Sequence, residues 1–145
     1  GVSSAASDVY KRQFVGSVKQ EDLKTWISAA DVCVNPLSEA KLDAGGNLKG
    51  QKTYEYLACE APAVEVCIPK YPLPAWANQH LIVVPVGDCP ALAEALERGL
   101  DYRQTHRDEL AAARAFVIEE FSWEAETRSA LALLNENFRA LRATR

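Results

Sequence analysis

The sequence predicts an α/β fold in which a parallel sheet is layered between helices. Strand-length apolar runs alternate with amphipathic stretches at helical spacing from Phe14 onward, the pattern of strand–helix–strand units. The runs Asp31-Val32-Cys33-Val34-Asn35-Pro36 and Leu81-Ile82-Val83-Val84-Pro85 are apolar without alternation, as strands covered on both faces are. A long glycine-bearing loop, Ser38 to Gly50, joins the first of these runs to a short helix. In parallel sheets such loops leave the carboxyl ends of strands, where ligands bind.

Phe14-Val15-Gly16-Ser17-Val18 reads as a short strand ending in a turn. Gln20 to Ala30 reads as a helix, with Leu23, Trp26, Ile27 and Ala30 on one face and Glu21 and Asp22 at its positive end. Asp31 to Asn35 is the next strand, stopped by Pro36. The helix Gln51 to Glu60 carries Tyr54, Leu57 and Ala58 on its apolar face, with Lys52, Glu55 and Cys59 on an adjoining one. Pro62 to Val66 is a buried strand, and Pro69 to Asn78 a proline-rich loop. After the Leu81–Pro85 strand, Asp88 caps a helix running from Pro90 to Gly99, with Leu92, Ala93 and Leu96 inward. Thr105 to Glu120 is helical, with Leu110, Ala113, Phe116 and Val117 on one side. Ser122 caps a last helix whose stripe is Leu131, Leu134, Phe138 and Leu141. Its Glu124 and Glu126 suit the positive end, and Arg139, Arg142 and Arg145 the negative end.

Composition bounds the function. At 145 residues and 48% apolar content the chain fits one soluble domain. A net charge of −4 with no Lys/Arg block argues against nucleic acid. No apolar run approaches the ~18 residues of a membrane span, and the expected location is the cytoplasm. Cys33, Cys59, Cys67 and Cys89 form no C-x-x-C and have no nearby His, so they read as free thiols and no metal is expected. His80 and His106 lack an acidic, Ser or Cys partner at a recognisable spacing. The chain has no methionine and is read as a piece of a longer protein. Residues 1–13 lack periodicity, resemble translated sequencing-adapter DNA, and are read as a foreign leader before a domain at 14–145.

The chemistry concentrates in Gly45-Gly46-Asn47-Leu48-Lys49-Gly50-Gln51-Lys52-Thr53-Tyr54-Glu55. Glycines let backbone amides approach a ligand closely, and a helix N-terminus adds partial positive charge, a combination that suits phosphate. A carboxylate one turn into the helix stands where a ribose could offer two hydroxyls. Glu55 is therefore expected to project into a groove at the carboxyl end of the Asp31–Asn35 strand. Each residue also has an ordinary reading. Glu55 could pair with Lys52 at i−3, Lys52 could solvate the helix, Asn47 could cap its start, and Gly45, Gly46 and Gly50 could be a surface loop. Trp26, Trp76 and Trp123 read as core or interface residues.

In this order and spacing, several pieces together resemble the C-terminal, donor-binding half of GT-B glycosyltransferases, and in particular their retaining family 4. The pieces are Phe14-Val15-Gly16-Ser17-Val18, Asp22-Leu23, Ala30-Asp31-Val32-Cys33-Val34-Asn35-Pro36, Lys52-Thr53-Tyr54-Glu55-Tyr56-Leu57-Ala58, Pro62-Ala63-Val64 and Phe121-Ser122-Trp123-Glu124. The resemblance runs from Phe14 to the C-terminus and implies a Rossmann-like half of a GT-B fold. It implies that Glu55 holds the ribose of a nucleotide diphosphate sugar, while Gly45, Gly46, Asn47 and Lys52 meet phosphate and sugar. It implies retaining transfer to an acceptor hydroxyl with no cofactor beyond the donor substrate. The implied partners are the nucleotide diphosphate sugar and an acceptor-binding N-terminal domain of the parent chain. Peripheral membrane association of the parent enzyme is compatible with it.

This chain departs from the family pattern at two places. Asn47 stands where many members carry a second glutamate, eight residues before Glu55. Glu60 stands where the family usually has glycine, and implies a different helix ending or a strained one. The family's phosphate-binding Arg/Lys pair would lie upstream of Phe14, so the chain alone is expected to be inactive. A non-catalytic interaction domain on the same fold is the alternative, favoured by Asn47. A receiver-type signalling domain would need clustered aspartates at its strand ends, which this chain lacks.

Overall fold

The computed structural model describes residues 14–38, 43 and 51–143. In chain order the elements are α1 (Gln20–Ala29), β1 (Cys33–Asn35), α2 (Gln51–Ala58), β2 (Ala63–Cys67), α3 (Ala77–His80), β3 (Ile82–Pro85), α4 (Cys89–Thr105), α5 (Arg107–Phe121) and α6 (Trp123–Ala143). The strands form a parallel sheet in the order β1-β2-β3. Asn35 is in register with Glu65, and Val64 with Ile82. This is the expected α/β layering, a Rossmann-like half-domain.

Strand alternation divides the core between the two faces. Val32, Val34, Val64, Val66, Ile82 and Val84 pack against Leu92, Ala95 and Leu96 of α4. On the other face Ala63 meets Leu57 of α2 and Ala113 and Val117 of α5, while Cys33 and Ala61 meet Ile27 of α1. Trp76 closes this second layer, within 6 Å of Tyr54, Phe116 and Phe121 (ring centroids at 5.9, 5.6 and 5.7 Å). It is the core tryptophan. Trp26 is half exposed and Trp123 almost fully so, so of the core and interface readings only Trp76 meets the core one.

The Phe14–Val18 strand does not form. Gly16 takes φ +82, which turns the chain out of the extended conformation, and Phe14 and Val15 stay exposed. Further on, α4 runs past the expected stop at Gly99 to Thr105, because that glycine lies against Val32 and ends nothing. Ala93 faces solvent, and Ala95 takes the inward position beside Leu92 and Leu96. Asp88 caps α4 as expected, its carboxylate accepting from the Ala91 amide at 2.9 Å. The Ser122 hydroxyl likewise accepts from the Ala125 amide at 3.2 Å. Yet Leu131, Leu134 and Phe138 of the α6 stripe are not core but more than half exposed, and among the described side chains of that helix only Ala125 is buried; Leu141 lies outside them.

The end of α2 resolves the oddity at Glu60. The Ala61 amide donates to Tyr56 O and the Glu60 amide to Leu57 O, both at 3.0 Å, the two bonds of a Schellman ending. That ending places Glu60 at φ +53, in the left-handed region that glycine fills without cost. Arg114 of α5 braces the turn, donating to Ala58 O at 2.8 Å, with its Nε 3.8 Å from the Glu60 carboxylate.

Candidate functional site at the carboxyl edge of the sheet

The carboxyl ends of β1 and β2 carry the polar residues that the core cannot explain. Leu37, just after β1, packs with Ile68 and Tyr71, just after β2. Lys70 donates to the Asp43 carboxylate at 2.6 Å and Tyr71 donates to it at 2.5 Å. These bonds hold Asp43 below the ordinary carboxylate range. A residue of the segment between β1 and α2 is thereby tied to the turn that follows β2.

Beneath this edge lies a buried polar group of three. Glu65, 3% exposed, points from β2 toward α2. The Thr53 hydroxyl of α2 donates to its Oε2 at 2.7 Å. Asn35 Nδ2, at the end of β1, donates to Glu65 Oε1 and Oε2 at 3.0 and 3.2 Å and to Thr53 Oγ1 at 3.1 Å. Burial pushes the Glu65 carboxyl above its ordinary range, and the Thr53 and Asn35 bonds pull part of the way back. A charged residue inside the Pro62–Val66 run is the signal that sequence reading passed over.

The expected ligand residues stand around α2. Gly45, Gly46 and Asn47 lie outside the described residues, as does the 1–13 leader. Lys52 is exposed on the first turn. Glu55 is half-buried on the α1 side of α2 and lines an open groove of about 340 Å³ with Leu23, Lys24, Ile27 and Arg114. Its carboxylate accepts from Gln51 Nε2 at 3.1 Å, and no ion pair joins it to Lys52. Glu55 is thus neither locked in a buried pair nor free in bulk solvent, but its groove lies between helices, not over the end of β1.

Among the described residues no group of three or more His, Cys, Asp or Glu side chains could hold a metal ion, and no helix is long and apolar enough to cross a membrane. The cysteines among them are free thiols, and burial raises that of Cys33 above the ordinary range.

The parallel sheet, the helix starting at its carboxyl edge and the polar groups gathered there fit a domain that handles a small polar ligand. Compared with protein families, the sequence matches the one described as "Glycosyl transferases group 1" over residues 4–102. The chain belongs to that family. Comparison with curated proteins and with solved structures gives no match. The group 1 match covers α1 through most of α4, and with it both sides of the Glu65 cluster; it also takes in residues 4–13. The chain is therefore a transferase domain that serves glycosyl transfer, and the donor, the stereochemistry and the ligand residues are matters for proposal.

Proposed function

We propose that this domain binds the nucleotide diphosphate sugar of a retaining, family 4-like GT-B glycosyltransferase. The observation that carries the reading is the position of Lys52 on the first turn of α2 and of Glu55 one turn in, in a chain of group 1 glycosyltransferase type. A helix N-terminus offers amides without intrahelical partners and a partial positive charge, which favour an anion at the start of α2, and Lys52 adds a full charge. Glu55 accepts from two ribose hydroxyls after exchanging its bond to Gln51 for them. As the sugar leaves the diphosphate, negative charge grows on the phosphate oxygens. Fixed N–H groups and Lys52 stabilise that charge without a metal. Gly45, Gly46 and Asn47 complete the site in this reading.

The described residues build one sheet and its helices, with no second facing domain to hold an acceptor. Positioning an acceptor in line with the anomeric carbon supplies several kcal/mol of the barrier. The 145-residue chain by itself is accordingly expected to bind donor weakly and transfer no sugar. Asn47, standing where many family members have glutamate, favours a second reading, an interaction domain that keeps the fold without the chemistry.

Calorimetric titration with uridine and guanosine diphosphates, with Glu55→Ala as control, separates the two. Binding by the wild type that Glu55→Ala weakens supports the donor site. Equal signals from both proteins remove Glu55 from it, and no signal from either favours the interaction domain.

A further inference from the structure

We propose that Asn35, Thr53 and Glu65 form a clasp that sets the first turn of α2, with Glu65 as a positioning residue for nucleotide binding. The inference rests on the donor-site reading of Lys52 and Glu55. Its starting point is a residue that stability does not call for. Glu65 is a carboxylate 3% exposed in the middle of a parallel strand, with no cationic partner among the described residues. Burying an unpaired charge is costly, and a valine or alanine would fill such a strand position. Carboxylates held in this way concentrate at sites where a geometry must be fixed.

The three bonds have a definite logic. Asn35 is the last residue of β1, Glu65 is its register partner in β2, and Thr53 is the third residue of α2. Asn35 gives one amide hydrogen to Glu65 and the other to Thr53 Oγ1; Thr53 gives its hydroxyl hydrogen to Glu65. Every donor hydrogen is used, and the carboxylate receives from both partners. The clasp therefore fastens the point where the chain leaves β1 to the point where it re-enters as α2, 18 residues later. Lys52 is the residue before Thr53, and Glu55 lies two beyond it. A rotation or slide of the first turn moves both, whereas Leu57, fully buried between β2 and α5, holds the far end of the helix. On its α5 side the first turn is held by Tyr54, stacked on Phe121 at 4.6 Å, and on its sheet side Thr53 ties it to β1 and β2 through the polar clasp.

The test compares Thr53→Val, which keeps the volume and removes the hydroxyl, with Thr53→Ser, which keeps the hydroxyl, and Glu65→Gln, which keeps an acceptor and the shape. Two measurements are made on each at a temperature where circular dichroism shows all of them folded. The first is amide hydrogen exchange at Glu55, Tyr56 and Leu57, whose helical bonds reach back to the first turn. The second is calorimetric affinity for uridine diphosphate. Thr53→Val is expected to speed exchange at these amides and to weaken binding about tenfold, the scale of a misplaced binding group. Thr53→Ser should stay near wild type in both, whereas Glu65→Gln, whose amide nitrogen puts a donor where a clasp partner donates, should move both in the direction of Thr53→Val. A purely structural role would lower melting temperatures and leave the affinity of the folded protein unchanged, which would overturn the proposal. Unchanged exchange in Thr53→Val overturns it without reference to any ligand. If Glu55→Ala weakens binding and Thr53→Val does not, the donor site stands and the clasp alone fails. No binding by the wild type removes both.

Discussion

Gly99 backs directly onto Val32. A Cβ built on Gly99 would stand 2.6 Å from Val32 Cγ2, well inside van der Waals contact. This approach lets α4 lie close over β1 and continue six residues beyond the glycine. Gly99→Ala is expected to destabilise the fold by about 1–2 kcal/mol, an overpacking cost only partly offset by alanine's better helix propensity. Urea unfolding of the single variant and of the Val32→Ala/Gly99→Ala pair checks it. The pair should show a favourable coupling, since removing the Val32 methyls makes the room that the new Cβ needs.

Glu60 invites the opposite change. Its φ of +53 is strained for any residue with a Cβ, and its ion pair with Arg114 is long and exposed. Glu60→Gly should therefore stabilise the protein by about 0.5–1 kcal/mol, the relief of strain outweighing glycine's extra freedom in the unfolded chain. A lower melting temperature would mean that the brace from Arg114 matters more than the backbone.

Glu65 should leave its mark on the pH dependence of stability. Its carboxyl titrates higher in the folded protein than the ordinary value of 4.5, chiefly through burial. Below 4.5 both states hold the proton and its contribution is full. As pH rises through the folded value, the unfolded state has already released the proton, and the contribution is lost. Wild type should therefore lose stability relative to Glu65→Gln from below 4.5 toward neutrality, at no more than about 1.4 kcal/mol per pH unit. A constant gap between the two proteins across that range would show that Glu65 is not shifted.

These residues also mark how far the sequence speaks. Continuous apolar runs announced β1 and β3, because parallel strands need cover on both faces, β2 was read as a buried strand in spite of Glu65, and Asp88 and Ser122 announced helix starts through chemistry local to each cap. Gly99 misled, since a helix-ending glycine and a contact glycine look alike until the partner, Val32, is known. Phe14 and Val15 misled because two apolar residues before a glycine do not secure a place in a sheet. The α6 stripe had the right period for a helix, and period says nothing of what lies opposite. The clasp was hardest to see. Its members are 12 to 30 residues apart, and only the register of β1 with β2 brings Asn35 to Glu65.

The last prediction assigns Lys52 and Glu55 separate parts of one ligand. Under the donor-site reading Lys52 meets the diphosphate and Glu55 the ribose, so each should respond to a different fragment. Lys52→Ala is expected to weaken uridine diphosphate about three- to tenfold and to flatten its dependence on salt, as the loss of one exposed charge does. It should leave uridine unaffected. Glu55→Ala should weaken uridine and uridine diphosphate alike by about tenfold or more, the scale of hydrogen bonds to a charged group. It should leave inorganic pyrophosphate unaffected or slightly tighter, because a nearby negative charge is gone. Calorimetric titrations of the three ligands against three proteins give nine values. If Glu55→Ala weakened pyrophosphate and spared uridine, the roles would be reversed and the ribose would have to lie elsewhere. If both variants weakened all three ligands equally, the two side chains would be shaping α2, not touching the ligand.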